Sequence, residues 1–455
     1  MKKNTFIFDF TEGNIPKQLV TFATPLFLSS LLQVVYNMVD MAVVGHVLGD
    51  VGLSAVSVGG DVSNFLTFVA MGFSNAGQVI ISQYIGAGKK DSVGRFIATM
   101  FSFLTLAAVV LSTVCLILRV PILRLMNTPA EAMDEALGYS TVCMIGMVFI
   151  YGYNIVSAVL RGIGDSKHPF IFISIAAVLN VVLDILFVIV IPLGAAGAAL
   201  ATVISQCVSF VCSAVFLYVK RDSLGFEIRR RDFFHIDLSM LSRLAKLGIP
   251  MAIKNASIQF SKLFVNAHVN SFGVAVSAFA GVANKINSIS NLFSNSLNTA
   301  GSSMVGQNIG AGKYKRVPRI SLAIAAVTFT IASLLSAAIL LFPNTIFGIF
   351  TKDTSVLAIG KDYLPIAVLI FFGSACRAPF NAILNGSGNY KINFVTAMLD
   401  GIILRIGLSM LFGTTLAMGY VGFWLGDALA GFTPMVIGIF FYASGKWKRD
   451  PLKSK

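Results

Sequence analysis

The sequence predicts an all-α integral membrane protein, with twelve transmembrane helices in two pseudo-symmetric six-helix lobes around a central cleft. Its apolar composition, the placement of its basic residues and an internal duplication carry that expectation. Of 455 residues, 56% are hydrophobic and 12% are charged, against about 25% charged in ordinary soluble domains. Mean hydropathy is +0.82. A soluble globule has too little interior to hide so much apolar surface, which excludes a soluble enzyme and a disordered chain. The net charge of +14 sits in short clusters between apolar runs, a membrane pattern and not the basic face of a nucleic-acid binder.

A membrane-crossing helix needs roughly 20 mostly apolar residues. Such runs lie at about 19–45, 52–80, 93–118, 137–160, 169–192, 196–219, 240–267, 274–306, 320–343, 362–385, 392–416 and 420–443. They are continuous and do not alternate, so they read as helices and not as barrel strands. The second and eighth are long and rich in Ser, Asn and Gly, as expected where a helix lines water or packs closely on a neighbour. Residues 1–18 are polar and amphipathic, and the run after them is too long for the core of a signal peptide. With the N-terminus in the cytoplasm, 25 of the 34 Lys and Arg fall on the cytoplasmic side. Four (Arg119, Arg124, Lys352, Lys361) fall outside, and five (Lys254, Lys262, Lys285, Arg377, Arg405) lie within spans. That asymmetry places both termini inside a plasma membrane. Cys115, Cys143, Cys207, Cys212 and Cys376 all lie in apolar runs without a CxxC spacing and read as small buried hydrophobes.

The chain repeats itself. SQYIGAGKKDSVGR (82–95) recurs as GQNIGAGKYKRVPR (306–319), an offset of 224 that also maps Leu160, Gly162, Gly164 and Lys167 onto Leu384, Gly386, Gly388 and Lys391. Pro25 maps to Pro250, and Gly194/Gly197 to Gly419/Gly422, at 225. The expected organisation is an N-terminal lobe over 1–219, a basic linker over 220–239 and a C-terminal lobe over 240–455. An even number of spans per half makes the repeats parallel. The GAGK runs are not phosphate loops. Gly306 and Gly312 are one residue too far apart, and Tyr314 stands where a Ser or Thr would hold magnesium. They read as tight basic turns. The absence of a nucleotide motif points to an ion gradient as energy source, with H⁺ or Na⁺ as coupling ion and no cofactor.

Ionisable residues inside a span are costly and mark function by default. In the first half these are Asp40 and Asp184. Gln33 and Asn37 precede Asp40 at helical spacing; Asn180 and Asp184 are i and i+4, as are Thr202 and Gln206. Three helices thereby offer carboxylate, amide and hydroxyl oxygens, which suits a cation. The repeat sharpens the point, because Asp40 maps to Val265, Asn180 to Leu404 and Asp184 to Leu408. The second half carries the five intraspan cations instead, with Asp400 and Asp427 in partial compensation. Lys254 and Lys262 lie near a stripe of Asn255, Gln259 and Asn266, and the eighth span runs Asn284, Asn287, Asn291, Asn295, Asn298. Two readings stand side by side here: a basic, amide-lined wall facing substrate, or snorkelling lysines with Arg–Asp pairs such as Arg405 with Asp400. Pro25 is a candidate hinge on the first span. His46, His168 and His235 are expected in loops and His268 near a span end; no HExxH or triad spacing supports an enzyme.

The Pro25…Asp40–Met41 run ending in VVGHVLG, the paired QxIGAGK turns, LNVVLDILF (179–187) and RGIGDSKHP (161–169) together resemble the multidrug and toxic compound extrusion (MATE) family, in its DNA-damage-inducible prokaryotic branch. The likeness covers nearly the whole chain. It implies two six-helix lobes, cation-driven antiport and export of small amphiphilic organic compounds; alternating access by a monomer is the expected working mode. It also implies a cation site on Asp40, Asn180, Asp184 and Thr202. Lys254 and Lys262 depart from what a pump for cationic drugs needs. The alternative reading is a flippase for lipid-linked precursors, of similar architecture and different cargo.

Overall fold

The computed structural model describes residues 7–448 and is helical throughout; among the described residues there is no strand. The long helices are α1 (Ile15–Gly86), α2 (Lys90–Ile117), α3 (Met133–Gly162), α4 (Lys167–Val190), α5 (Gly194–Lys220), α6 (Leu238–Asn270), α7 (Val274–Gly310), α8 (Val317–Leu341), α9 (Thr354–Gly386), α10 (Tyr390–Thr415) and α11 (Gly419–Ala443). α1 is two crossings in one run. Its helix breaks at Gly49, whose φ of 62° and ψ of −151° lie in a region open essentially to glycine alone. Counting both parts of α1 gives the twelve expected crossings. Nine of the described helical stretches are long and apolar enough to cross a membrane; α6 and α7 are long enough but more polar. Large apolar side chains such as Leu125, Ile117, Leu322 and Phe440 stand exposed, as a lipid-facing surface requires. The protein is a multi-pass membrane protein.

The duplication is written into the backbone. Glycines with positive φ pair across the halves: Gly49 with Gly273, Gly88 with Gly312, Gly164 with Gly388, and Gly194 with Gly419. The short helix Arg119–Leu125 after α2 has its counterpart in Pro343–Gly348 after α8. The two GAGK runs are helix ends. Lys89 N–H donates to Tyr84 O at 3.0 Å and Gly88 N–H to Ile85 O at 3.1 Å, while Lys313 N–H donates to Asn308 O at 2.8 Å and Gly312 N–H to Ile309 O at 3.0 Å. These paired bonds around a left-handed glycine are the Schellman cap.

Two compact units emerge: residues 1–9 with 24–248, and residues 10–23 with 249–455. The division differs from the expected one in two places. Residues 240–248 group with the first unit, and the start of α1, through Ala23, groups with the second. Within the second unit that leading segment is held by the α7–α8 turn. Phe10 is fully buried, its N–H donates to Gln307 Oε1 at 2.9 Å, and Asn308 Nδ2 donates to its carbonyl at 3.0 Å. Arg316 donates to the carbonyls of Phe10, Glu12 and Gly13. Within the first unit, the linker is held in the matching way. Ser102 Oγ donates to Phe233 O at 2.6 Å, and a side chain at Gly94 would collide with the Glu227 carbonyl. Two histidine expectations are corrected: His46 lies inside α1 and His168 in the first turn of α4, where it pairs with Asp165 at 2.6 Å and stacks on Phe216.

Candidate functional sites

In the first unit, three helices bring the acidic candidates together. Asp40 on α1 is 8% exposed, Asn180 on α4 is 2% exposed, and Asp184, one helical turn further on, is fully buried. Asp184 directly precedes a π-helical turn, Ile185–Val190, a local rewinding frequent at functional sites. Asn180 Nδ2 donates to Thr202 Oγ1 on α5 at 3.3 Å, which turns the Asn180 carbonyl oxygen away as a free acceptor. Asp40 and Asp184 lie within electrostatic reach of each other. Four of their oxygens (Asp40 Oδ1, Asn180 Oδ1 and both carboxylate oxygens of Asp184) are buried without a hydrogen-bond donor. Buried acceptors are normally satisfied, and a carboxylate in that state calls for a positive charge or a proton. The donor set of carboxylate, amide and hydroxyl oxygens fits a hard cation such as Na⁺ and equally a proton. Among the described residues no cluster of three or more His, Cys, Asp or Glu suits a transition metal.

The neighbours of this site escaped sequence reasoning. Tyr36, beside Gln206, and Tyr139 and Cys143 on α3 are all within electrostatic reach of Asp40. Tyr36 lies four residues before Asp40 on the same helical face, a spacing the sequence offered; Tyr139 and Cys143 carry no signal in an apolar run, and only α3 packing on α1 reveals them. The face drawn through Gln33, Asn37 and Asp40 is not uniform: Asp40 is buried, Gln33 intermediate and Asn37 exposed. Pro25 lies inside α1, two residues past the point where the chain passes from one unit to the other.

The second unit contains a cavity of about 120 Å³. Its charged lining is Lys262, Arg377, Arg405 and Asp427, with Asn291 and Tyr363 among the neutral groups. Of the substrate candidates it takes up Lys262 and Asn291. Lys254, Asn255, Gln259 and Asn295 lie outside it, Gln259 and Asn295 being exposed. Lys254 is neither at a span end nor snorkelling. It is buried and donates to Asn381 Oδ1 at 2.8 Å. Arg405 is paired as expected with Asp400, at 3.1 Å, and in addition with Asp427. Arg377 reaches the same Asp400 oxygen at 3.8 Å. Lys262 makes no ion pair or hydrogen bond among the described residues. The walls are aromatic: Tyr363 meets Trp424 at 5.0 Å and Phe279 at 5.4 Å, edge to face, and its hydroxyl exchanges hydrogen bonds with Asn287 at 2.7 and 3.0 Å.

Two duplicated six-crossing units with buried charge inside each define the class as a polytopic membrane transporter. The MatE family model matches the chain twice, over residues 25–186 and 250–411, one match per repeat. The chain therefore belongs to the MatE family of transporters. A probable multidrug resistance protein of Bacillus subtilis, YpnP, is 30% identical over 97% of this chain and 98% of its own length. Among solved structures, a MOP-superfamily transporter of Pyrococcus furiosus superposes with a TM-score of 0.89 at 22% identity, covering 99% of each chain; it is described as having a binding pocket of reverse polarity that suggests a different function. The outward-facing conformation of a multidrug resistance MATE family transporter gives a TM-score of 0.85 at 23% identity, covering 96% of this chain and 97% of the other. At these identities the superpositions speak for the fold.

Proposed function

We propose that the protein is a cation-coupled antiporter that exports small amphiphilic organic compounds across a prokaryotic plasma membrane, with both termini in the cytoplasm and no cofactor. The observation that carries this reading is the group of buried acceptor oxygens without donors on Asp40, Asn180 and Asp184. Desolvated carboxylates bind a cation or proton far more strongly in one packing of their helices than in another. Such a difference in affinity is the sole means by which a ligand drives a conformational cycle. H⁺ or Na⁺ enters at Asp40 and Asp184, with Asn180 and Thr202 completing the oxygen set. Loading repacks the first lobe and releases cargo outward; after the cation leaves inward, cargo binds again. Pro25, next to the passage of α1 between units, supplies the flexible point. The likeness to multidrug resistance proteins supports a varied organic cargo, and the Phe- and Met-rich interior suits it.

The test is export of a fluorescent substrate from vesicles under separately imposed proton and sodium gradients. Asp40→Asn abolishes gradient-driven export while the purified protein keeps its thermal unfolding profile. Full activity in that variant would remove the coupling role. A flippase reading draws on the cations of the second unit. It predicts that a fluorescent lipid-linked sugar crosses reconstituted bilayers and that a water-soluble dye does not.

A further inference from the structure

We propose that the cavity of the second unit is a receptor for the oxyanion head group of an amphiphile, a carboxylate or phosphate carried on an apolar body. This rests on the exporter reading above and names the chemistry of its cargo.

The cavity is the repeat counterpart of the cation site, with its charge inverted. Tyr139, beside Asp40, corresponds at the offset of 224 to Tyr363 in the cavity wall. Val265, which lines the cavity, stands at the position of Asp40, and Asp427 at that of Thr202. Where the first unit gathers carboxylates with free acceptor oxygens, the second gathers donors. Lys262, Arg377 and Arg405 face a single lining carboxylate, Asp427, and Arg405 already holds it. Asp400, outside the lining, is shared by Arg405 and Arg377. Among the described residues Lys262 makes no hydrogen bond or close ion pair and feels Asp427 only at longer range, and Arg377 Nε is buried without an acceptor. Positive charge in excess of its carboxylate partners is costly away from water, and Lys262 together with the free Nε of Arg377 is complementary to one anion. The guanidinium fork favours an oxyanion over a spherical ion.

The volume of about 120 Å³ admits a head group and its first carbons. Asn287 is engaged with Tyr363, so Lys262 and the free Nε of Arg377 are the charged donors open to an anion, beside the lining amides of Asn266, Asn284 and Asn291. The Trp424 and Tyr363 rings then flank the first carbons of the apolar body.

The experiment is equilibrium binding to the full chain in lipid nanodiscs, read against empty nanodiscs. The probes are 11-(dansylamino)undecanoic acid and its methyl ester. The acid is expected to bind at least tenfold more tightly than the ester. Lys262→Gln should remove most of that ratio without touching ester binding; Arg377→Gln should do the same. Lys285→Gln, exposed on α7 outside the cavity, should keep the ratio. Dodecanoate and dodecyl phosphate then compete for the bound acid, and the stronger competitor identifies the oxyanion. Equal binding of acid and ester, an unchanged ratio in Lys262→Gln, or competition by neither amphiphile would overturn the proposal. Lys262 makes no hydrogen bond or ion pair among the described residues, so its variant remains informative if Arg377→Gln fails to fold. Asp40→Asn should retain the acid-over-ester ratio, which separates failure of this site from failure of the coupling mechanism.

Discussion

Arg405 shows how far a single residue can be understood here. It is 2% exposed and joins two carboxylates on different helical segments, Asp400, which is fully buried, and Asp427. Its partner Asp400 was within reach of sequence reasoning, since the two are five residues apart on one helix. Asp427 was not, because the contact depends on α10 lying against α11. Removing one partner of a buried ion group strands the others and costs about 3–5 kcal/mol. Arg405→Ala is therefore expected to lower the midpoint of thermal unfolding in detergent sharply, and Arg405→Lys, which keeps the charge but loses the fork, by less. A midpoint unchanged in Arg405→Ala would mean that the triad contributes nothing to stability. Lys262 offers the contrast: a charge at the same cavity with no hydrogen bond or close ion pair among the described residues, whose replacement should leave the unfolding midpoint nearly where it was.

Elements are set by their ends and by their closest approaches. α6 starts on Asp237, whose carboxylate accepts from Ser239 N–H at 2.9 Å, Ser239 Oγ at 2.6 Å and Met240 N–H at 3.2 Å. Those bonds, the Ser239 hydroxyl first, hold its pKa below the ordinary carboxylate value. Because the folded pKa is depressed, the cap stabilises the protein above the unfolded value of about 3.9 and weakens as pH falls through the folded one. Asp237→Ala should cost about 0.5–2 kcal/mol at pH 7, discounted toward the lower figure by exposure. The gap between wild type and variant should narrow as unfolding is measured from pH 5 down to pH 3. A gap independent of pH would show that the carboxylate charge is not what caps the helix. α10 and α11 meet through Gly422 and Gly426, where a Cβ would strike the backbone of Phe412 and Ser409. Small residues four apart allow this approach in membranes, and it places Asp427, the next residue, beside Arg405.

At the scale of the whole molecule, the two units are alike in backbone, and the charge they bury within their spans differs in sign, Asp40 and Asp184 in the first against an excess of cations over Asp400 and Asp427 in the second. Each also holds the leading segment of the other repeat: residues 10–23 group with the second unit, and the linker before α6 with the first. Arg316 carries much of the first arrangement through three backbone carbonyls, and Lys313 adds Thr11 and Glu12. Arg316→Gln should raise amide hydrogen exchange over residues 8–14 severalfold and leave residues 226–237 unchanged, as read by mass spectrometry on the reconstituted protein. Equal protection in the variant would mean that Phe10 and Asn308 hold the segment without Arg316.

The one-dimensional facts of this chain determined its spans, its duplication, its capped turns and the identity of its buried acids. Apolar length, basic loop charge, glycine spacing and the rarity of a charge in an apolar run are all local or periodic signals. Only the tertiary structure decided which polar side chains meet. Tyr139 near Asp40, Asp427 on Arg405, Lys254 on Asn381 and the unpaired state of Lys262 depend on helices far apart in sequence packing at one depth. The same packing assigned the start of α1 to the second unit, because hydrogen bonds to the Phe10, Glu12 and Gly13 backbone leave no trace in residue type at the receiving end.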